Sequence, residues 1–418
     1  MSAFTLRPTV FLTCALFTAS AASAQGDANA TALHLLARGS NDLVPSQLRA
    51  PPAGKLVTTD LDRVPVAVSW ALDAGKALDA NPAAFTSESR EYWIDASQAD
   101  LQRGIALALS APGALIRLSP HGGRSTAAIA ISDVQITIAG RRLDNGTAIR
   151  TIAGDDELRA AGMDAPQGSI ALRLSDTIGA GTLQLAVPTA SGGYLVHVFE
   201  PASRVTLTLA AEHDSVIGGD ALRFRASVVG ASGLVRIGGL VNSPDGSSQP
   251  IAFTRQRDGT YLATVVPDVS HAGDRGLWDV NVFAVVAGAV ALPRDATSAF
   301  SVSVPVARLD GTIERRIGAG GSRDIAVKLG IESVAASRYQ VSAVLYGTDG
   351  TGQLKPAVIA QSAAWLASGH GQIELRYDAE RLAEAGLSAP YELRDLRLVN
   401  QADMSLLERR ERAVTLAN

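Results

Sequence analysis

The run RDGTYLATV, residues 257–265, decides the fold. Arg257-Asp258-Gly259 is turn chemistry: the Asp side chain bonds its own backbone and Gly accepts a positive φ. Tyr261, Ala263 and Val265 then recur at every second position, which is the spacing of a half-buried strand. GLWDVNV at 276–282 repeats the phrase, with Gly276 leading Trp278, Val280 and Val282 onto one face.

Working outward, Val205, Leu207 and Leu209 alternate in the same way. So do Leu222, Phe224, Ala226 and Val228, and then Phe300, Val302 and Val304. Six or seven such strands over residues 202–305 fit an immunoglobulin-like sandwich, and the missing cysteine pair excludes an antibody-type domain. Residues 306–418 repeat the logic with Ile325, Val327 and Leu329, then Val341, Ala343 and Leu345, then Ile373, Leu375 and Tyr377. A short helix over Asp378 to Ala385 ends at Gly386. On the N-terminal side, residues 60–201 carry alternating runs at Ile105, Val134, Ile170, Leu183 and Tyr194. Asp144-Asn145-Gly146 reads there as a turn. Helices are expected at Ser97 to Arg103, with Ser97 and Asp100 as a capping box, and at Asp155 to Ala161, closed by Gly162. The fold class is mainly β: tandem β-sandwich domains, immunoglobulin-like in the middle and C-terminal blocks, with a few short helices.

Residues 25–59 are rich in small side chains and contain Pro51-Pro52, so they read as a flexible leader. Before them, residues 1–24 have the form of a signal peptide. Arg7 supplies the positive n-region, VFLTCALF at 10–17 the apolar core, and Ala22-Ser23-Ala24 the cleavage site before Gln25. The chain's single cysteine, Cys14, lies inside that segment, so the mature protein is expected to hold together without disulfides in an oxidising compartment. Hydrophobic residues at 47% against 19% charged supply the core this requires. No later apolar run is long enough to cross a membrane, so no span is expected in the mature chain. A net charge of −4, with no Lys/Arg stripe and 5% aromatics, argues against a nucleic-acid partner.

The phrases at 258–265 and 276–282 resemble bacterial immunoglobulin-like and macroglobulin-like modules. A broader likeness runs through REYW at 90–93, ADLQRG at 99–104, APGALIRLSP at 111–120 and PYELR at 390–394. Together they resemble domain of unknown function 4785, a proteobacterial family, over residues 60–418. That resemblance implies a secreted, multi-domain, β-rich protein of a Gram-negative bacterium, a candidate for type II secretion. It carries over no catalytic residue.

Candidate chemistry is sparse. His121-Gly122-Gly123 has the form of an esterase oxyanion loop, but the chain lacks the G-x-S-x-G elbow such enzymes need, and a turn after Pro120 accounts for it. No two of the six histidines stand at a zincin spacing. Asp155, Asp156 and Glu157 offer carboxylate oxygens to a calcium ion, while acids at a helix start also stabilise its dipole. Asp176-Thr177-Ile178 is only a near miss to an aspartic-protease motif. Trp70, Trp93, Trp278 and Trp365 are read first as core plugs, with Trp93 beside Tyr92 and Glu91 the one most suited to a ligand face. Tyr92, Trp93 and His121 are therefore the candidate ligand-binding residues, and Asp155, Asp156 and Glu157 the candidate metal site.

These readings favour an exported, periplasmic or extracellular protein with a non-enzymatic binding or adhesion role toward a protein or glycan, and no resident cofactor unless calcium. The alternative is a secreted hydrolase, or a hydrolase accessory protein, acting on polymeric substrate. The distinguishing feature is whether His121 meets Asp155 or Asp176 in one polar pocket.

Overall fold

The computed structural model describes residues 31–54, 56–79, 83–231, 235–271, 276–317 and 324–416; the expected signal peptide and its cleavage point lie outside them. The chain is mainly β and forms three sandwiches. The N-terminal sandwich sets a five-stranded antiparallel sheet, in the order Glu91–Ala96, Tyr194–Phe199, Leu115–Pro120, Ile170–Leu174, Ile149–Gly154, against a four-stranded one. That second sheet runs Ile105–Leu109, Gly181–Ala186, Gln135–Ile138, Arg141–Arg142. The middle sandwich is built on Tyr261–Val265, Leu222–Val229 and Thr206–Ala211 in one sheet, and Leu292–Ser303, Trp278–Val286 and Val235–Asn242 in the other. The C-terminal sandwich faces Ala307–Ile317, Ile325–Ser333 and Gly369–Tyr377 with Leu354–Leu366, Ser337–Thr348, Ser388–Asn400 and Ser405–Leu416.

Alternation does what the sequence requires of it. Tyr261, Ala263 and Val265 are buried, and Trp278 packs by Phe300 at 6.3 Å between ring centres. Tyrosines plug the other two sandwiches: Tyr92, Tyr194, Tyr339 and Tyr377 are wholly buried. Tyr92 and Tyr377 hand their hydroxyl protons to the carbonyls of Ala108 and Ala343 at 2.9 and 3.2 Å, which removes the cost of burying the polar end. The short helices fall where caps dictate. Ser97 and Asp100 close a reciprocal capping box on Gln98–Arg103, and Asp378 caps Ala379–Glu384. Asp144-Asn145-Gly146 differs from the expected hairpin turn. The Asp144 side chain accepts the Gly146 N–H and starts a helical turn, Asn145–Ala148.

Part of the segment 25–59 read as a flexible leader, and the first strands of the block 60–201 read with the N-terminal domain, are instead strapped to later parts of the chain. Thr31–Leu33 pairs with Ala307–Ile317, and Val66–Ala71 pairs with Leu354–Leu366, so each sheet of the C-terminal sandwich takes one edge strand from the start of the chain. Between them the Asp42 carboxylate is buried and accepts the Glu411 N–H at 2.7 Å, and Leu43 bridges Arg409. Buried Arg338 donates to the carbonyls of Asp62 and Val64 at 2.6 and 2.7 Å. Thr86–Ser89 then edges the middle sandwich beside Thr206–Ala211. Small residues and prolines describe local freedom, but strand pairing is non-local, so composition alone misreads this segment. A protein that starts at Leu72 leaves two sheet edges open. Amide exchange in Ala307–Ile317 and Leu354–Leu366 should then quicken while Ile105–Leu109 exchanges as before; unchanged exchange in all three strands refutes the strap.

The joints differ in kind. Val304, Val306 and Ala307 are buried, and one continuous apolar cluster runs from the middle into the C-terminal sandwich. The N-terminal sandwich has its own cluster and meets the middle one through a small apolar patch, Ala108 with Val286 and Leu292, and a buried polar network. There Arg294 and Glu200 are fully buried with Nη2 and Oε2 2.6 Å apart. Glu200 also accepts the N–H groups of Ser110 and Ala111 at 2.6 and 3.0 Å. Arg294 donates to the carbonyls of Val205 and Pro293 at 3.0 and 2.8 Å and to the hydroxyls of Ser110 and Ser203 at 2.9 and 2.8 Å. Removing one partner strands a buried charge. Arg294→Ala is expected to cost about 3–5 kcal/mol in a urea titration. Glu200→Ala should cost a similar amount, and the double variant less than the two together.

Candidate functional site

The outward face of the N-terminal five-stranded sheet gathers the chemistry. On Glu91–Ala96 the even positions Tyr92 and Ala96 are buried and the odd ones, Glu91, Trp93 and Asp95, face out. Tyr92 therefore leaves the candidate ligand face and joins the core, because successive strand residues point to opposite sides. Burial raises its hydroxyl pKa well above the usual phenol range.

Trp93 keeps 37% of its surface exposed and stands opposite His197, which in turn stands opposite Arg117. The indole and imidazole stack with centres 4.0 Å apart and planes 14° from parallel, and the Arg117 guanidinium carbon lies 5.7 Å from the indole centre. His197 Nε2 meets a Glu91 carboxylate oxygen at 2.8 Å. That hydrogen bond is the main reason the Glu91 carboxyl sits below its ordinary value. Four residues along the strand, Asp95 meets His121 Nε2, also at 2.8 Å. The strand thus presents carboxylate–histidine, indole, carboxylate–histidine in a row. Leu195 and Leu115 extend the face beside it, both partly exposed.

The buried Nε atoms of Arg117 and Arg173 have no hydrogen-bond acceptor among the described residues, while Nη2 of Arg173 reaches Asp176 at 3.9 Å. The backbone edge is closed by the middle sandwich. The Trp93 N–H donates to the Asp295 carboxylate at 2.8 Å, one residue after Arg294 in the joint. Burial raises the pKa of that carboxyl.

Each acid of the candidate metal site contacts a group of the protein itself. Asp155 and Asp156 both bind Arg159, at 2.8 and 2.5 Å, and Glu157 accepts the Gly154 N–H at 2.6 Å as a capping group. Among the described residues no group of three or more His, Cys, Asp and Glu is placed to hold a metal ion. Asp176 is held by Arg150 at 2.6 Å. It follows the end of Ile170–Leu174 that pairs with Leu115, while His121 follows Pro120 at the opposite end of the same ladder. His121 and Asp176 therefore share no pocket. Of the other tryptophans, Trp278 is core, Trp70 is 48% exposed on an edge strand, and Trp365 is half-buried under Arg63 at 4.4 Å. Only the sheet register sets His197 and Arg117 in one row with Trp93, and Arg173 one row along, in line with Leu115, Phe199 and Glu91. The one local signal was the strong alternation through Tyr194–Phe199.

Models of two parts of one family match the chain: the N-terminal domain of domain of unknown function DUF4785 over residues 57–200, and its C-terminal domain over 306–417. A solved DUF4785 family protein from Legionella pneumophila is 19% identical and aligns with 90% of this chain and 99% of its own, with a TM-score of 0.72. At that identity the likeness establishes the fold. Alpha-2-macroglobulin of E. coli, 11% identical over 79% of this chain and 20% of its own, has a TM-score of 0.28. A tetra-tandem repeat from the extending region of a large adhesion protein, 13% identical over 84% of this chain and 81% of its own, has 0.20. Neither carries weight at such scores. No curated protein matches.

The Glu91–His197 contact sets a pH dependence. A depressed carboxyl contributes stability above its unfolded pKa and loses it as pH falls through the folded value. Glu91→Gln should be less stable than the parent at neutral pH. The gap should close as pH drops below the ordinary value of 4.5. Urea titrations across that window check it; a gap that persists in acid sinks the assignment.

Proposed function

The chain belongs to the DUF4785 family, and from that premise we propose an exported, non-enzymatic binding protein whose ligand-recognition face centres on Trp93. The observation that carries this reading is one outward strand row, Glu91–Trp93–Asp95, backed by His197 and by the Arg117 guanidinium. The partly exposed Trp93 indole, with the His197 ring stacked against it, offers a stacking surface to a sugar ring. The Arg117 guanidinium beside the indole favours a ligand that carries acceptors, so a carboxylate- or hydroxyl-bearing glycan fits the chemistry.

The hydrolase reading is less well supported. Glu91 and Asp95 are four residues apart on an extended strand, about 13 Å between Cα atoms. Glycoside hydrolysis uses carboxyl groups roughly 5–9.5 Å apart with one of them free to hold a proton. Here each carboxylate is tied to its own histidine. Export is read from residues 1–24 and the cysteine-free remainder.

The test is a panel of immobilised acidic and neutral polysaccharides probed with purified protein, alongside a chromogenic hydrolase panel. Binding should weaken about tenfold or more in Trp93→Ala, a loss near 1.4 kcal/mol, and persist in Trp365→Ala. Glycan binding that ignores Trp93→Ala, or turnover abolished by Asp95→Asn, reverses the proposal.

A further inference from the structure

Across the four-stranded sheet of the N-terminal sandwich, Leu107, Leu183, Ile138 and Arg141 stand directly opposite one another, one on each strand. Residues paired across a sheet share a face. Leu107 and Leu183 are wholly buried, and Ile138 packs on the same core. Arg141 therefore ends an inward row whose other members are apolar. A two-residue turn, Ala139-Gly140, with φ of 51° and 76°, fixes that register. Arg142, opposite Thr137, points outward.

One row along the sheet, Leu109 faces Gly181, which has no side chain to offer. Close-packed interiors leave few voids larger than a water molecule. Here the end of the sandwich opens into a cavity of about 440 Å³, walled by Leu109, Ile138, Leu143, Ile178 and Leu183, with Arg141 as its one charged residue. A Cβ added at Gly179 or Gly181 meets no atom within 4 Å, so that wall is bare backbone beside open space. Among the described residues the Arg141 guanidinium has no hydrogen-bond or ion-pair partner. The acids nearest in sequence to the lining are committed elsewhere: Asp144 caps Asn145–Ala148, and Arg150 holds Asp176 at 2.6 Å. Trp93, His197 and Arg117 take no part in the lining, so this is a second site.

We propose that the cavity binds a single-chain amphiphile with a carboxylate head, a fatty acid, its tail between the sheets and its carboxylate on Arg141. Apolar walls favour a hydrocarbon tail, and a lone cation among them selects an anionic head. The guanidinium fork matches a carboxylate with two parallel N–H donors. A phosphate head carries close to two charges, which one arginine only half neutralises. Ligand pockets run to roughly 300–1,000 Å³, and this one, near the small end, suits one chain rather than two. An inward charge on an edge strand also discourages pairing with other chains. Either sign of charge does that, so reversing the charge separates the two roles.

The test is calorimetric titration of protein beginning at Gln25 with decanoate, decanol, decyl phosphate and decyltrimethylammonium. Decanoate is expected to bind with a Kd below about 1 mM, and the other three about tenfold more weakly or worse. Arg141→Glu should weaken decanoate about tenfold or more and leave decanol unchanged. Ala180, exposed on the cavity wall, gives the second variant: Ala180→Trp should weaken decanoate and decanol alike. Arg141 is exposed, so its variant keeps the test decisive even where Ala180→Trp fails to fold. Absence of decanoate binding overturns the proposal. So does decanol, decyl phosphate or decyltrimethylammonium binding as tightly as decanoate, or decanoate affinity indifferent to Arg141→Glu.

Discussion

The buried pair of Glu200 and Arg294 fixes how the N-terminal sandwich sits on the rest of the molecule. Two ions taken out of water cost several kcal/mol each, and attraction alone does not repay that. The deficit closes only because the donors and acceptors of Ser110, Ala111, Ser203, Val205 and Pro293 converge on the same two side chains. Those groups come from the N-terminal sandwich, the linker and the middle sandwich. Any rotation between the sandwiches separates some of them inside a dry joint. The polar network thus fixes one geometry for a joint whose apolar part, Ala108 with Val286 and Leu292, would by itself tolerate sliding. Asp295, next in the chain, inherits that geometry and lands on the Trp93 N–H. The orientation of the candidate binding face therefore rests on a salt bridge that touches no part of it.

What was legible in the sequence was whatever local chemistry determines. The phrase at 257–265 forces a turn and an alternating strand, and Tyr261–Val265 is that strand. Ser97 and Asp100 force a cap, and the helix begins at Gln98. The edge strands at Thr31–Leu33 and Val66–Ala71 were not legible. Their partners lie hundreds of residues away, and a short edge strand with few large side chains carries almost no pattern of its own. For the same reason Trp70 read as core. Its alternation with Val66 and Val68 marks a strand face, but which face is buried is set by the neighbouring sheet.

The candidate site divides along the same line. Trp93 and His121 were visible as residue types, yet nothing in the linear order joins them to each other or to His197. Register does so: Trp93 opposite His197, and Asp95 two residues on, holding His121. Tyr92 shows the reverse case. Its neighbour made it attractive, and the pleat sent it to the other side. The acids at 155–157 fit a helix start, where Arg159 one turn later contacts Asp155 and Asp156 and Glu157 accepts the Gly154 N–H.

The strap at the start of the chain carries a consequence for the order of events during synthesis. Thr31–Leu33 and Val66–Ala71 emerge first, but the strands they complete, Ala307–Ile317 and Leu354–Leu366, emerge near the end. The earliest ordered segment must wait, unpaired, while the N-terminal and middle sandwiches take shape between. Closing so long a loop is slow, because its entropy is lost before any contact repays it. The meeting of the two ends of the chain is therefore expected to be a late step of folding. A protein interrupted anywhere before residue 366 can hold well-made sandwiches and still lack the seam that closes it.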